Sequence, residues 1–206
     1  NYCRTTKNFV NSCGVAKIGD ETKLSILKKV LDCQKNFEDV LSNEKNDNAI
    51  FLNQRMTFWA KCFSSPEPSK EYKTYFIKNL IRKKSVAALL NSSLFYLLWE
   101  TYSDCWHITQ NDLSNLKISD NFFNEELQIL LEKLETKLEE KLYQTREYIY
   151  SKQTDYIYVH RLCYDEIQEI NNVVAKIYGF SDSEKEYIQN YNEKYRLSVS
   201  SNTEEE

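Results

Sequence analysis

Only three glycines and two prolines punctuate 206 residues, so the chain has few places to turn sharply. Gly and Pro are the strongest breakers of regular structure, and a fold of many short strands needs them at its turns. Their scarcity predicts long elements, helices above all. Both prolines fall in one stretch, Ser64-Ser65-Pro66-Glu67-Pro68-Ser69, which must be a loop because two near-adjacent prolines interrupt a ladder or a helix. Gly179 stands just past an apolar-periodic stretch, where a helix C-cap belongs.

Hydrophobic spacing fills in the elements between these marks. Leu24, Leu27, Val30, Leu31, Phe37 and Leu41 predict an amphipathic helix over 20–41, with Asp20 as N-cap and Lys23, Lys28, Lys29 and Lys35 on its wet face. A polar loop follows over 42–48. Residues 49–52, 56–63 and 72–77 are apolar and aromatic enough for strands, and Tyr75 and Ile77 share one face of the last. Residues 85–102 predict a buried helix, 104–109 a polar-aromatic loop, and 111–116 one or two helical turns, with Ile118 opening a short strand. The longest helix is expected over 123–149, where Leu127, Leu130, Leu131, Leu134, Leu138 and Leu142 form a stripe. That stripe suits packing within the chain, or a short dimeric coiled coil. Residues 154–158 read as a strand or linker, and 164–178 and 183–191 as helices, the second capped by Ser181 or Asp182. The expected fold class is α+β, mainly helical, with a small mixed or antiparallel sheet and a helical C-terminal extension.

Composition excludes several classes. At 41% hydrophobic and 28% charged, the chain has the make-up of an ordinary globular protein. No apolar run reaches the roughly 18–20 residues of a membrane span; the longest, 86–99, is interrupted by Asn91, Ser92 and Ser93. No secretory leader opens the chain, and its start without Met suggests a fragment. The six cysteines have neither metal-ligand spacing nor the density of a disulfide framework, so free thiols and a reducing, cytoplasmic setting are expected. Charge is uneven. Residues 1–118 hold 17 Lys and Arg against 12 Asp and Glu, whereas 119–206 hold 10 against 19. A local basic patch, not the net charge of −4, decides phosphate attraction.

Catalytic patterns are missing. The chain has no glycine-rich nucleotide loop, no nucleophile elbow and no zinc-helix motif. Its carboxylates are scattered along helix faces.

One block is more specific. Residues 89–118 read LLNSSLFYLLWETYSDCWHITQNDLSNLKI. This resembles the C-terminal region of adenine-specific DNA methyltransferases of the type IIG restriction–modification kind, which carry a similar LNSSLF…YSDxxH…xxDLxNxxI pattern. Residues 55–68, with Phe58-Trp59-Ala60-Lys61 and Phe63-Ser64-Ser65-Pro66, are similar to the aromatic-basic strand and loop that precede it. Asp165-Glu166-Ile167, Tyr178-Gly179-Phe180, Glu184 and Tyr187-Ile188 are similar to the helical tail that follows. The resemblance covers most of 50–195 in pieces. The family's Asn/Asp-Pro-Pro-Tyr/Phe motif and its S-adenosylmethionine glycine motif are both absent.

The resemblance therefore implies the recognition half of a bacterial enzyme, not an enzyme in itself. It implies residues 1–118 as the DNA-recognition part, 119–195 as helical support and 196–206 as a disordered tail. Double-stranded DNA and an upstream methyltransferase domain of the same chain are the implied partners. No cofactor is expected here; S-adenosylmethionine and the pocket that receives a flipped adenine would belong to the parent, ahead of Asn1. The candidate DNA contacts are Arg55, Lys61, Ser64, Ser65, Lys70, Arg82, Lys83, Lys84, Ser103, Asp104, Trp106, His107, Thr109 and Asn111. The cations suit phosphates, and the 103–111 side chains suit base edges. Each also has a structural role open to it. Asp104 could orient His107, Trp106 could plug the core, Asn111 and Asp112 could cap a helical turn, and Asn91, Ser92 and Ser93 could bond locally to backbone. The alternative function is a helical protein–protein interaction module without DNA binding.

Overall fold

The computed structural model describes residues 10–11, 14–150 and 154–198. Within them the chain is α+β, with a helical C-terminal part. A small ribbon, β1 (Val10–Asn11) and β2 (Gly14–Val15), leads into α1 (Glu21–Leu31). An antiparallel sheet follows, made of β3 (Ala49–Asn53), β4 (Cys62–Phe63) and β5 (Tyr72–Phe76), with β3 in the centre. Then come α2 (Lys83–Asn91), α3 (Ser93–Tyr102), α4 (Gln110–Ser114) and the long α5 (Glu125–Thr145). A hairpin of β6 (Glu147–Tyr150) and β7 (Thr154–Ile157) precedes α6 (Tyr164–Tyr178), α7 (Asp182–Gln189) and α8 (Glu193–Arg196). None of the helices among the described residues is long and apolar enough to cross a membrane.

Asp20 caps α1 as expected, its carboxylate accepting from the Lys23 N–H at 2.8 Å. The helix ends at Leu31, ten residues before the position that the periodicity predicts, and Phe37–Val40 form a separate 3-10 turn. Tertiary pairing explains the break. Lys35 bridges to Ile118, whose N–H donates to the Lys35 carbonyl at 2.8 Å, so that carbonyl is engaged outside any helix. Asn36 and Asp39 then start a new turn with their own capping box. Ile118 thereby makes an isolated bridge and not a strand. Lys23, expected on the wet face, is buried, with its ammonium donating to Tyr191 Oη at 2.7 Å and reaching Glu100 at 3.5 Å.

The strand expected over 56–63 is ordered only at Cys62–Phe63. The Asn53 side chain accepts from the Arg55 N–H at 2.8 Å and turns the chain off the sheet. Met56, Trp59 and Ala60 then pack as irregular but buried chain. Strand β5 forms where expected, with Tyr75 buried and Lys73 and Thr74 exposed.

The single helix expected over 85–102 is two helices meeting at Ser92. Its extended backbone ends α2, and its hydroxyl accepts from the Phe95 N–H to cap α3. Asn91, Ser92 and Ser93 are all buried and bonded within the fold. Asn91 brackets Cys62, accepting from its N–H at 3.0 Å and donating to its carbonyl at 2.9 Å. Ser93 N–H donates to Asn171 Oδ1 at 2.9 Å. The Ser92 hydroxyl alone makes the expected local bond, donating to the Leu89 carbonyl at 2.6 Å, whereas the Asn91 and Ser93 bonds join elements distant in sequence.

Helix α5 is shorter than its pattern at both ends: Asn124 caps it, and residues 147–150 join the hairpin. Leu131, Leu138 and Leu142 are buried, and α5 packs against α2 and α6 of the same chain. Leu130 is 38% exposed.

Gly179 closes α6 in the left-handed region, φ 63°, and Ser181 with Glu184 forms the capping box of α7. A Cβ at Gly179 would meet nothing within 4 Å, so only backbone strain opposes one. Gly179→Ala should therefore cost about 1 kcal/mol in urea denaturation, without a change of fold.

One apolar cluster runs through the molecule. It joins Ile26, Phe63, Leu90 and Phe95 to Leu138, Ile170 and Ile188, so no break in the core marks residue 118. The tail expected over 196–206 lies outside the described residues from 199 onward. Arg196, its first member, closes α8 and is buried.

Candidate functional site

The densest basic run, Arg82-Lys83-Lys84, begins α2 and faces α5. Arg82 reaches Glu132 at 2.6 Å and Glu125 at 3.8 Å. The Lys83 ammonium donates to the Ser64 carbonyl at 2.9 Å. Lys84 pairs with Glu139 at 3.0 Å and donates to Thr136 Oγ1 at 3.0 Å. Lys29–Glu184 at 2.6 Å and Lys35–Asp120 at 3.0 Å repeat the pattern. The basic first half and acidic second half of the chain are thus partly complementary within one molecule, and this run is not an open cationic surface.

Beneath it lies a buried carboxyl pair. Glu139 accepts from the Ser64 N–H and hydroxyl, which takes Ser64 out of reach of any DNA. Glu135 is fully buried, takes a 2.8 Å hydrogen bond from Asn91 Nδ2 on one oxygen, and has no partner for the other. Burial pushes its carboxyl well above the usual range, and the Glu139 charge adds to the shift. Among the described residues no group of three or more His, Cys, Asp or Glu could hold a metal ion.

Arg55 and the candidates of the 103–109 loop come together at the end of β3. Arg55 and His107 form an antiparallel bridge, and Ile108 N–H donates to the Gln54 carbonyl at 2.8 Å. Trp99 Nε1 donates to the His107 carbonyl at 3.2 Å, fixing the loop from below. Trp106 is not a core plug; it is 72% exposed, with its ring 5.9 Å from that of His107 in an edge-on contact. The Asp104 carboxylate accepts from the Trp106 N–H at 3.0 Å, so it shapes the turn. Cys105 within that turn has φ 61°, a left-handed conformation unusual for a side chain with a Cβ. Thr109 and Asp112 form the capping box of α4. Asn111 is exposed, as are Ser65 and Lys70, whereas Ser103 is buried and its carbonyl accepts from Lys17 Nζ at 2.9 Å. Arg55 is exposed and pairs with Glu71 at 2.9 Å.

Lys61 lies elsewhere, beside a small crevice that the sequence did not announce. Trp59, Tyr158, His160, Arg161 and Arg196 line it with Lys61. The Arg196 guanidinium sits 3.8 Å over the Trp59 ring and 4.8 Å from that of Tyr96. No family model matches the chain, and neither the curated proteins nor the solved structures give a match.

Proposed function

We propose that the chain is the DNA target-recognition part of an adenine-specific DNA methyltransferase, with the 104–109 loop as its base-facing element. The observation that carries this reading is Trp106. A large, exposed aromatic ring on a loop anchored at both ends is a prepared contact, since little entropy is lost on binding. Arg55 bridges to His107, and both are exposed, as are Lys70 and Asn111; these side chains suit phosphates and base edges. The S-adenosylmethionine site and the adenine pocket belong to the implied catalytic domain, in keeping with the resemblance of residues 89–118.

Selection from a random duplex pool at low salt, read by mobility shift with the methyltransferase domain present, tests this. A short enriched motif is expected, with affinity falling steeply as salt rises. Trp106→Ala should weaken binding to that motif about tenfold or more, the scale of one lost aromatic contact. No enrichment under these conditions sinks the proposal.

The partly exposed Ile129 and Leu130 on α5 favour a second reading, a protein-interaction module. Light scattering on the purified chain would then give a stable dimer that DNA does not displace.

A further inference from the structure

We propose that His160, Trp59 and Arg196 form an acid-sensitive latch, which holds α8 on the body of the fold and releases it in mild acid before the other elements open. The three side chains meet at one point. The His160 ring stacks on Trp59, with centroids 6.1 Å apart and planes 20° from parallel, and the Arg196 guanidinium lies 3.8 Å over the same indole. His160 and Arg196 are each 2% exposed. The imidazole Nδ1 lies 2.9 Å from the Tyr158 carbonyl, so it carries the proton of the neutral ring, and Nε2 has no hydrogen-bond partner. A second proton would have to go on Nε2, where nothing accepts from it. The new charge would also stand beside a buried guanidinium that has no carboxylate within ion-pair distance among the described residues. A buried charge without a partner costs more than opening a small element to water.

The surroundings of the imidazole oppose that proton. Burial first, and then the Lys61 and Arg196 charges, hold its pKa down at about 3, against the bond to the Tyr158 carbonyl. Lys61 and Arg161 are engaged in contacts of their own. Arg196 stays charged throughout, since burial lowers its pKa only to about 10. Tyr158 is bound to Glu67. Of the elements packed on the His160–Cys163 turn, α5 brings Lys141, paired with Glu166 of α6 at 2.8 Å. Helix α6 also brings the exposed Asp165 and Tyr164, whose hydroxyl donates to the Gln189 carbonyl at 3.0 Å. The side that gives way is α8, four residues long and tied down by side chains: Arg196 Nη1 donates to Ser93 Oγ at 2.8 Å and Asn192 Nδ2 to Tyr96 Oη at 3.2 Å. The His160 turn, by contrast, leads directly into α6 and packs on α5. A short element of this kind opens at far lower cost than the whole fold. Lifting α8 takes Arg196 away and returns the imidazole towards its ordinary value of 6.5. The released state then binds more protons than the docked one. Docking is therefore complete above about pH 6.5 and weakens about tenfold per pH unit below it, down to about 3. The latch needs no nucleic acid and is independent of the duplex-recognition proposal.

NMR titration and amide exchange on the full chain test this. The chain has two histidines, and the exposed His107 supplies the reference signal. In the docked state His160 should hold a proton on Nδ1 alone. Amide exchange of residues 193–197, corrected for its intrinsic pH dependence, should report an opening that grows about tenfold per pH unit from about pH 6 to about pH 4, with the far-UV circular dichroism of the other helices retained. His160→Asn keeps a donor towards the Tyr158 carbonyl and takes up no proton, so it should flatten that slope. If His160→Asn does not fold, the imidazole titration of the natural protein decides alone. An imidazole that gains its second proton near pH 6.5 with α8 still protected overturns the proposal. Protection of 193–197 unchanged down to about pH 4, an opening that comes only with loss of the circular dichroism, or an equal slope in His160→Asn overturns it as well.

Discussion

Glu139→Ala should destabilise the protein by about 3–5 kcal/mol, while Glu135→Gln, one helical turn earlier on α5, should be neutral or stabilising. The two carboxyls lie in the same buried layer but in opposite circumstances. Glu139 is matched, accepting from the Ser64 N–H and hydroxyl and pairing with Lys84. Its removal strands a buried backbone donor and leaves Lys84 opposite no charge. Glu135 has one hydrogen bond and one unpartnered oxygen, and burial raises its pKa well above the ordinary carboxylate range. A carboxyl raised in the folded state binds more protons there than in the unfolded chain. Stability on its account therefore falls as pH rises from the unfolded carboxylate range through the raised native value. Glutamine keeps the shape and the bond to Asn91 without the charge. Urea denaturation at acid and at mildly alkaline pH should show Glu135→Gln gaining on the natural protein as pH rises. A parallel pair of curves would remove Glu135 as the source of that slope.

Acid should act through Glu184 with the opposite sign. Burial alone would push this carboxyl up. The bonds from Lys29 at 2.6 Å, the Ser181 N–H at 2.6 Å and Ser25 at 2.7 Å outweigh that and hold it down at about 2. Its folded pKa lies below its unfolded value, so its contribution is complete above about pH 4.5 and is lost as pH falls towards about 2. The shift corresponds to roughly 3 kcal/mol for a side chain only 5% exposed. Glu184→Gln should thus lose stability at neutral pH and show a shallower acid slope, with α1 and α7 loosened together. Equal acid slopes in the two proteins would rule out this carboxylate as the acid-sensitive contact between them.

Much of the fold is legible residue by residue. Asp20 and Ser181 announce two helix starts because a cap needs only its own side chain and the next turn, whereas Thr109, expected to meet DNA, turns out to cap α4. Gly179 announces a helix end for an equally local reason. The α6 helix and strand β5 follow from apolar spacing alone. The candidate site was legible only in part. The exposed 104–109 loop stood out because aromatic and polar residues mix there. Ser64, Ser103 and the Arg82–Lys84 run looked equally available in one dimension, but their partners lie 19 to 86 residues away. Arg196, near the end of the chain, gave no sign that it would lie over Trp59 and Tyr96.

The sequence by itself determined where helices and strands can start, where the Pro loop and the Gly cap must fall, and that the chain would be α+β. Those properties depend on short-range sterics and on side-chain period. Tertiary structure alone decided that the 20–41 pattern breaks at Asp32, because Ile118 engages the Lys35 backbone. It also decided that Lys23 is buried, that much of the basic excess of one half meets the acids of the other, and that His160 and Arg196 share a crevice. Charge and hydrogen-bond pairing act through space at a few ångströms, and only the folded chain sets which residues stand that close.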